Sequence, residues 1–172
     1  MQIIGLRERS SQRSVVPLIC ILLSYTLSVS VHARTYYVAE ITDADLGTQA
    51  SPFDAIQKAA DVVRPGDIVL VKGGVYEESV TLKTSGTESH PIIFRPQPDT
   101  GAIILRHPAE DQETKGVFTL RDISFVHIEG FRFSDFKYGW AIHMSSSQHD
   151  HTVLPHKAQG NVIRNNTFEN MA

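Results

Sequence analysis

A fixed step between apolar runs, from i to i+23, constrains this chain more than any other feature. It separates Val69 from Ile92 and Val71 from Phe94. The same step leads from Phe94 to Val117 and on to Trp140. Two further ladders share it, Leu82 to Leu105 to Ile128 and Val80 to Ile103 to Val126. Repeats of ~20–50 residues mark stacked units, none of which can bury its apolar face alone. Short strands at this spacing, with no helices between them, predict a parallel β-helix. Each coil would lie roughly 4.8 Å above the last. Val71, Phe94, Val117 and Trp140 are then expected in one file.

A second repetition has another offset. Ile128-Glu129-Gly130-Phe131-Arg132-Phe133 lines up with Ile163-Arg164-Asn165-Asn166-Thr167-Phe168, from i to i+35. The excess over the first step is about the size of the polar excursion at 145–159. Another polar stretch, 107–115, reads as a loop bulging from the stack.

Upstream, Thr35-Tyr36-Tyr37-Val38 is rich in strand formers. A polar loop follows over 43–50. Ser51-Pro52-Phe53-Asp54 then predicts a helix start, with Ser51 as N-cap and Pro52 in the first turn. Phe53, Ile56, Ala60 and Val63 fall on one face, and Pro65-Gly66 ends the helix. Such a helix would cover the apolar end of the stack and its strand edges. The sequence stops at Ala172 just past a coil, so the expectation is an all-β, right-handed solenoid with a capping helix, cut short at its C-terminus.

Residues 1–33 have the pattern of a secretory signal. Arg7, Arg9 and Arg13 precede an uncharged, mostly apolar stretch over 15–31, and Val31-His32-Ala33 suits cleavage before Arg34. The alternative is an uncleaved membrane anchor. The lone cysteine, Cys20, lies inside this segment, so residues 34–172 carry no disulfide. Three Arg against one Glu leave with the signal, so the formal charge moves from −3 to −5. An acidic, exported domain is not expected to bind nucleic acid or to sit stably in a membrane. A monomer is expected.

Several phrases add up to a resemblance. They are Tyr36-Tyr37-Val38, Gly47-Thr48, Ser51-Pro52-Phe53, Ile56-Gln57-Lys58-Ala59-Ala60, Pro65-Gly66-Asp67-Ile68-Val69, Gly74-Val75-Tyr76, Ser85-Gly86-Thr87 and Pro91-Ile92-Ile93-Phe94. Together they resemble the N-terminal part of secreted right-handed parallel β-helix proteins, among them polysaccharide lyases of the pectate, alginate and chondroitin type. The resemblance implies a carbohydrate-active protein that binds an acidic polysaccharide or cleaves it by β-elimination. It also implies that the catalytic groups lie on later coils, with Ca²⁺ a possible cofactor of the full-length protein. No cofactor is evident in the residues themselves, and no catalytic residue can be carried over. The alternative is a non-catalytic surface or carbohydrate-binding module, or an inactive fragment.

Three groups are candidate sites. The i to i+23 step aligns Lys72 with Arg95 and Lys83 with Arg106, two cation pairs that a polyanionic glycan would relieve. The alternative is a solvated face with Glu77, Glu78 and Glu129 nearby. His149, Asp150 and His151, with His143 and His156, are weak candidates for a metal such as Zn²⁺, against an exposed polar loop. Asn161, Asn165, Asn166 and Asn170 suit tight corners, because Asn tolerates left-handed backbone. Tyr138 and Trp140 could stack on a sugar, although the ladder assigns Trp140 to the core.

Overall fold

Alternating burial turns the apolar runs into strands. The computed structural model describes residues 32–40, 45–106, 116–136, 140–146 and 158–171, all within one unit spanning Val31–Ala172. It has twelve strands and one helix among those residues. Sheet A holds β1 (Thr35–Val38), β2 (Ile68–Val71), β5 (Ile92–Pro96), β8 (Val126–Glu129) and β11 (Val162–Arg164). Sheet B holds β3 (Gly74–Glu77), β6 (Ile103–Arg106), β9 (Arg132–Phe136) and β12 (Thr167–Met171). Sheet C holds β4 (Val80–Thr81), β7 (Gly116–Arg121) and β10 (Trp140–Ser145). Every pairing is parallel. From β2 onward the strands fall to sheets A, B and C in unbroken rotation. That arrangement is compatible with a parallel β-helix.

The register corrects the constant step. Val69, not Val71, stands opposite Phe94, and Phe94 stands opposite Ile128. Val71 faces Pro96 instead. Val117 and Trp140 belong to sheet C, so the four residues expected in one file lie in two sheets. The other two ladders fail likewise. Leu105 pairs with Tyr76 and Phe133, Ile103 with Gly74, and Val80 with Phe118. The physical reason is the twofold alternation of strands. A register shifted by two positions still points apolar side chains inward, so short runs match several registers equally well. The offset from i to i+35 is correct, with Ile163 opposite Ile128 and Phe168 opposite Phe133.

The inward files form one core. Val69, Phe94 and Ile128 are fully buried, as are Leu105, Phe118 and Phe133. Burying each such side chain stabilises by about 1.5–3 kcal/mol. Phe118 sits at the centre of an aromatic group, with ring centroids 5.6 Å from Phe94, 6.0 Å from Phe131 and 6.4 Å from Phe133. Trp140 departs from the expected core position and is 62% exposed. It pairs with Gly116, but no described strand follows β10 in sheet C to cover it. Met144 on β10 and Phe168 on β12 are exposed for the same reason.

The asparagines hold the corners. Asn165 and Asn170 adopt φ of 57° and 50°. Gly130, φ 76°, occupies the corner below Asn165 and donates its N–H to Arg164 O at 3.2 Å. Asn166 reaches back one coil, accepting from Phe131 N–H at 2.9 Å and donating to Ile128 O at 2.8 Å. Asn161 does the same with Val126 N–H and Ile123 O. Their amides supply the donors and acceptors that a corner takes out of the ladder.

The helix α1 spans Ile56–Val62, with Ala55 and not Ser51 at its N-cap. Ser51 instead turns back on Thr48, and Phe53 is extended, bridging Val38. The helix N-terminus is served from outside. Glu78 accepts Ile56 N–H and Gln57 N–H at 2.9 and 3.0 Å, one on each carboxylate oxygen. The predicted face is correct, since Phe53, Ile56, Ala60 and Val63 are all buried in the core. The capping role is visible in hydrogen bonds. Gln57 accepts Thr81 N–H at 2.7 Å and donates to Thr81 O at 3.3 Å, standing in for a strand beside β4. Glu40 accepts Val75 N–H on β3 at 3.2 Å, and β1 itself covers the edge of β2. Each sheet edge at this end therefore has partners. Asp67, 1% exposed, accepts Arg34 N–H and Arg64 N–H, both at 2.8 Å, and ties the strand entries together.

Residues 1–31, with most of the predicted signal, and the stretch 107–115 lie outside the described residues, as does most of 145–159. No described helix is long and apolar enough to cross a membrane.

Candidate functional site

The outer side of sheet C carries polar side chains whose buried atoms have no hydrogen-bond partner among the described residues. Phe118 and Leu120 are buried in the core, and strand alternation puts Thr119 and Arg121 on the other side of β7, while Val117 at the start of that row is itself part of the core cluster. On β10, Ala141, His143 and Ser145 form the matching set. Thr119 stands directly opposite His143, and Arg121 opposite Ser145. Thr81 on β4 extends the first of these rows, because it pairs with Thr119. Neighbours across a row are about 4.8 Å apart, and successive rows about 6.6–7 Å.

The face changes character along its length. Val117 and Ala141 are buried, and Arg121 is exposed. Between them lie three buried side-chain atoms without a hydrogen-bond partner among the described residues: Thr119 Oγ1, His143 Nδ1 and Ser145 Oγ. Leaving a buried polar atom unpaired costs about 1–3 kcal/mol. Three on one face, beside a guanidinium, call for an explanation beyond stability. The set contains two hydroxyls that donate or accept, an imidazole that takes or gives a proton, and a cation. The strands of sheet C contain no Asp or Glu.

The four predicted cations are not brought together as two stacked pairs. Arg95 lies opposite Leu70, and Lys72 follows β2 beside Gln97 at the end of β5. Arg106 lies opposite Glu77 on β3. Lys83 follows β4 and bonds Asp61 on the helix at 2.8 Å. That bond, with a weaker one from Gln57, holds the Asp61 carboxyl below its ordinary range. The pairs fail because the coils they join are longer than the step that aligned them.

His143 is the predicted residue that the structure places in the site, in a different company from that expected. His149, Asp150, His151 and His156 lie outside the described residues, as does Tyr138. Among the described residues no three His, Cys, Asp or Glu side chains gather to hold a metal. Sequence reasoning missed Thr119, Arg121 and Ser145. Their signal was polar alternation, T-x-R in β7 and H-x-S in β10, recognisable only once the strands are paired.

Sheet A offers a contrast. On its outer side Arg164 forms an ion pair with Glu129 at 2.8 Å, and His127 Nδ1 lies 3.5 Å from the same oxygen. Glu129 Oε1 is also buried without a hydrogen bond, but a cation stands beside it, so these groups answer one another's charge.

Two comparisons with known proteins find likenesses, and no family model matches the chain. A protein of Bacillus subtilis (strain 168), described as uncharacterized protein YwoF, is 26% identical over 95 residues, 55% of this chain and 20% of its own length. The GH136 lacto-N-biosidase of Eubacterium ramulus superposes on 80% of this chain with a TM-score of 0.56 at 14% identity, covering 34% of the enzyme. A rhamnogalacturonan lyase superposes on 80% with a TM-score of 0.53 at 17% identity, covering 50% of that chain. The chain thus spans a fifth to a half of the proteins it resembles. The structural likenesses define the fold class, a mostly β protein of parallel sheets compatible with a parallel β-helix.

Proposed function

We propose that this chain is part of a secreted, carbohydrate-active, right-handed β-helix protein, and that the outer face of sheet C receives an acidic polysaccharide. Right-handed crossovers are the rule for parallel strands. The observation that carries the reading is the set of partnerless buried atoms on Thr119, His143 and Ser145, set beside Arg121. The two enzymes of like fold act, by their names, as a biosidase and a lyase, which supports a glycan as ligand. Lys83 borders the same face, while Lys72, Arg95 and Arg106 lie away from it.

The residue types favour elimination over hydrolysis. Glycoside hydrolysis ordinarily needs two carboxyl groups flanking the bond, and the strands of sheet C have none. β-Elimination needs a cation to neutralise the uronate carboxylate and a base for the proton on the adjacent carbon. Arg121 suits the first role and His143 the second. His143 removes the proton, and its electron pair forms a carbon–carbon double bond. The bond from the neighbouring carbon to the glycosidic oxygen breaks, and that oxygen takes a proton from water. Thr119 and Ser145 bind sugar hydroxyls and hold the ring.

The test offers pectate, alginate and chondroitin in turn and follows absorbance of the unsaturated uronate product. Turnover on one polymer, lost in His143→Ala and in Arg121→Ala, is the expected result. Binding without turnover would leave a carbohydrate-binding module. Neither binding nor turnover on any uronate polymer would reject the reading.

A further inference from the structure

A cleft lies on the sheet A side, at the capped end. Its volume is about 220 Å³, and Tyr37, Gln49, Pro52, Lys72 and Gln97 line it. Three segments build it. Tyr37 is on β1, held there by the ladder to Leu70 and by its N–H donating to Gly47 O at 3.0 Å. Lys72 and Gln97 leave β2 and β5 side by side, because Lys72 N–H donates to Val38 O and Gln97 N–H to Val71 O. Gln49 and Pro52 come from the loop that leads into Phe53, whose N–H donates to Tyr37 O at 2.8 Å. Backbone bonds therefore fix all three walls before any ligand arrives.

The side chains that meet there are unspent. Among the described residues, neither carboxamide, nor the Lys72 ammonium, nor the Tyr37 hydroxyl has a hydrogen-bond or ion-pair partner. This differs from the neighbouring surface, where Lys58 pairs with Asp45 and Asp54, and Lys83 with Asp61. One cation, two carboxamides, a phenol and the flat faces of Tyr37 and Pro52 make a recognisable set. Carboxamides donate and accept at once, which suits adjacent hydroxyls. An aromatic or proline face suits the C–H side of a sugar ring. An ammonium suits a carboxylate. The volume is below the roughly 300–1,000 Å³ of pockets for drug-sized ligands, so it admits one ring, not an oligomer.

We infer that this cleft binds a single acidic sugar residue, separately from sheet C. Lys72 meets the carboxylate, Gln49 and Gln97 meet hydroxyls, and the ring lies against Tyr37 and Pro52. The site holds one sugar residue. It does not rest on the reading of sheet C, because it uses none of the same residues.

The test titrates the full chain with galacturonic acid and with galactose, followed by NMR shifts or calorimetry. Saturable binding of galacturonic acid is expected. Galactose, and galacturonic acid with Lys72→Met, should bind at least tenfold more weakly. Asn166→Ala, at a corner of the last described coil and part of neither site, should bind as the parent does. Should Lys72→Met fail to fold, Gln97→Ala, with weakening of the same sign, decides the matter. The inference is overturned by no saturable binding, by equal affinity for galactose, by unchanged affinity in Lys72→Met, or by loss of monosaccharide binding in Asn166→Ala.

Discussion

Sheets A and C put their outward polar groups to opposite uses. On sheet A, Glu129 gathers Arg164 and His127 around one carboxylate, and the charges are consumed within the protein. On sheet C, a histidine and two hydroxyls stand in paired rows with their buried atoms unmatched. Both faces stack on the same core and in the same parallel ladders. The difference teaches that neither burial nor strand position marks a site here. A polar group left over after the fold has been satisfied does.

The largest effect should come from removing the base on sheet C. His143→Ala is expected to lower uronate turnover by about 10²–10⁴-fold. Thermal melting should stay put, because Nδ1 has no protein partner to lose. A matching fall in melting temperature would break the contrast with sheet A.

Next come the corners at the far side of sheet A. Asn166→Ala removes an acceptor from Phe131 N–H and a donor from Ile128 O. A loss of about 1–3 kcal/mol in urea unfolding is expected, with binding of glycan intact. Unchanged stability would mean that the amide does not hold the corner.

Glu78, just ahead of sheet C, should show its weight through pH. Burial holds its carboxyl above the ordinary value, against the opposite pull of the two helix N–H groups. The folded protein therefore binds a proton there more tightly than the unfolded chain. Stability linked to Glu78 is present at low pH and declines as pH rises from the ordinary carboxylate range through the raised value. Glu78→Gln should flatten that decline, as read by melting at a series of pH values. It also sacrifices one of the two cap bonds, so a lower stability throughout is expected.

Smaller still is the exposed part of sheet A. Glu129→Ala frees Arg164 and His127, and a loss of about 1 kcal/mol or less is expected, because Arg164 is largely solvated. Turnover should not change. Thr119→Val sharpens the comparison most finely. It deletes an unpartnered hydroxyl and keeps the branched shape, so stability should hold or rise slightly while glycan affinity falls.

Part of this was legible in the residues. Strand-forming runs, the buried helix face, the left-handed asparagines and the offset from i to i+35 all follow from local pattern. That offset succeeded where the shorter step failed because it aligned a longer phrase with its corner included. A phrase that includes its turn admits one register, whereas three alternating residues admit several. The site was legible only as scattered letters. His143 stood out for its kind, but Thr119 lies a whole coil earlier and is ordinary by itself.

By itself, then, the sequence determined which residues face inward and where the backbone bends. Those depend on twofold alternation and on φ preferences, which neighbours along the chain settle. Only the tertiary structure decided which strand lies on which. Coils of unequal length set that, and their insertions leave the inward pattern untouched. The same closure brought Glu78 to the helix start, Gln57 to the edge of β4 and His143 to Thr119. Contacts between residues a coil apart have no local signature, because the free energy that favours them exists only once the core has formed.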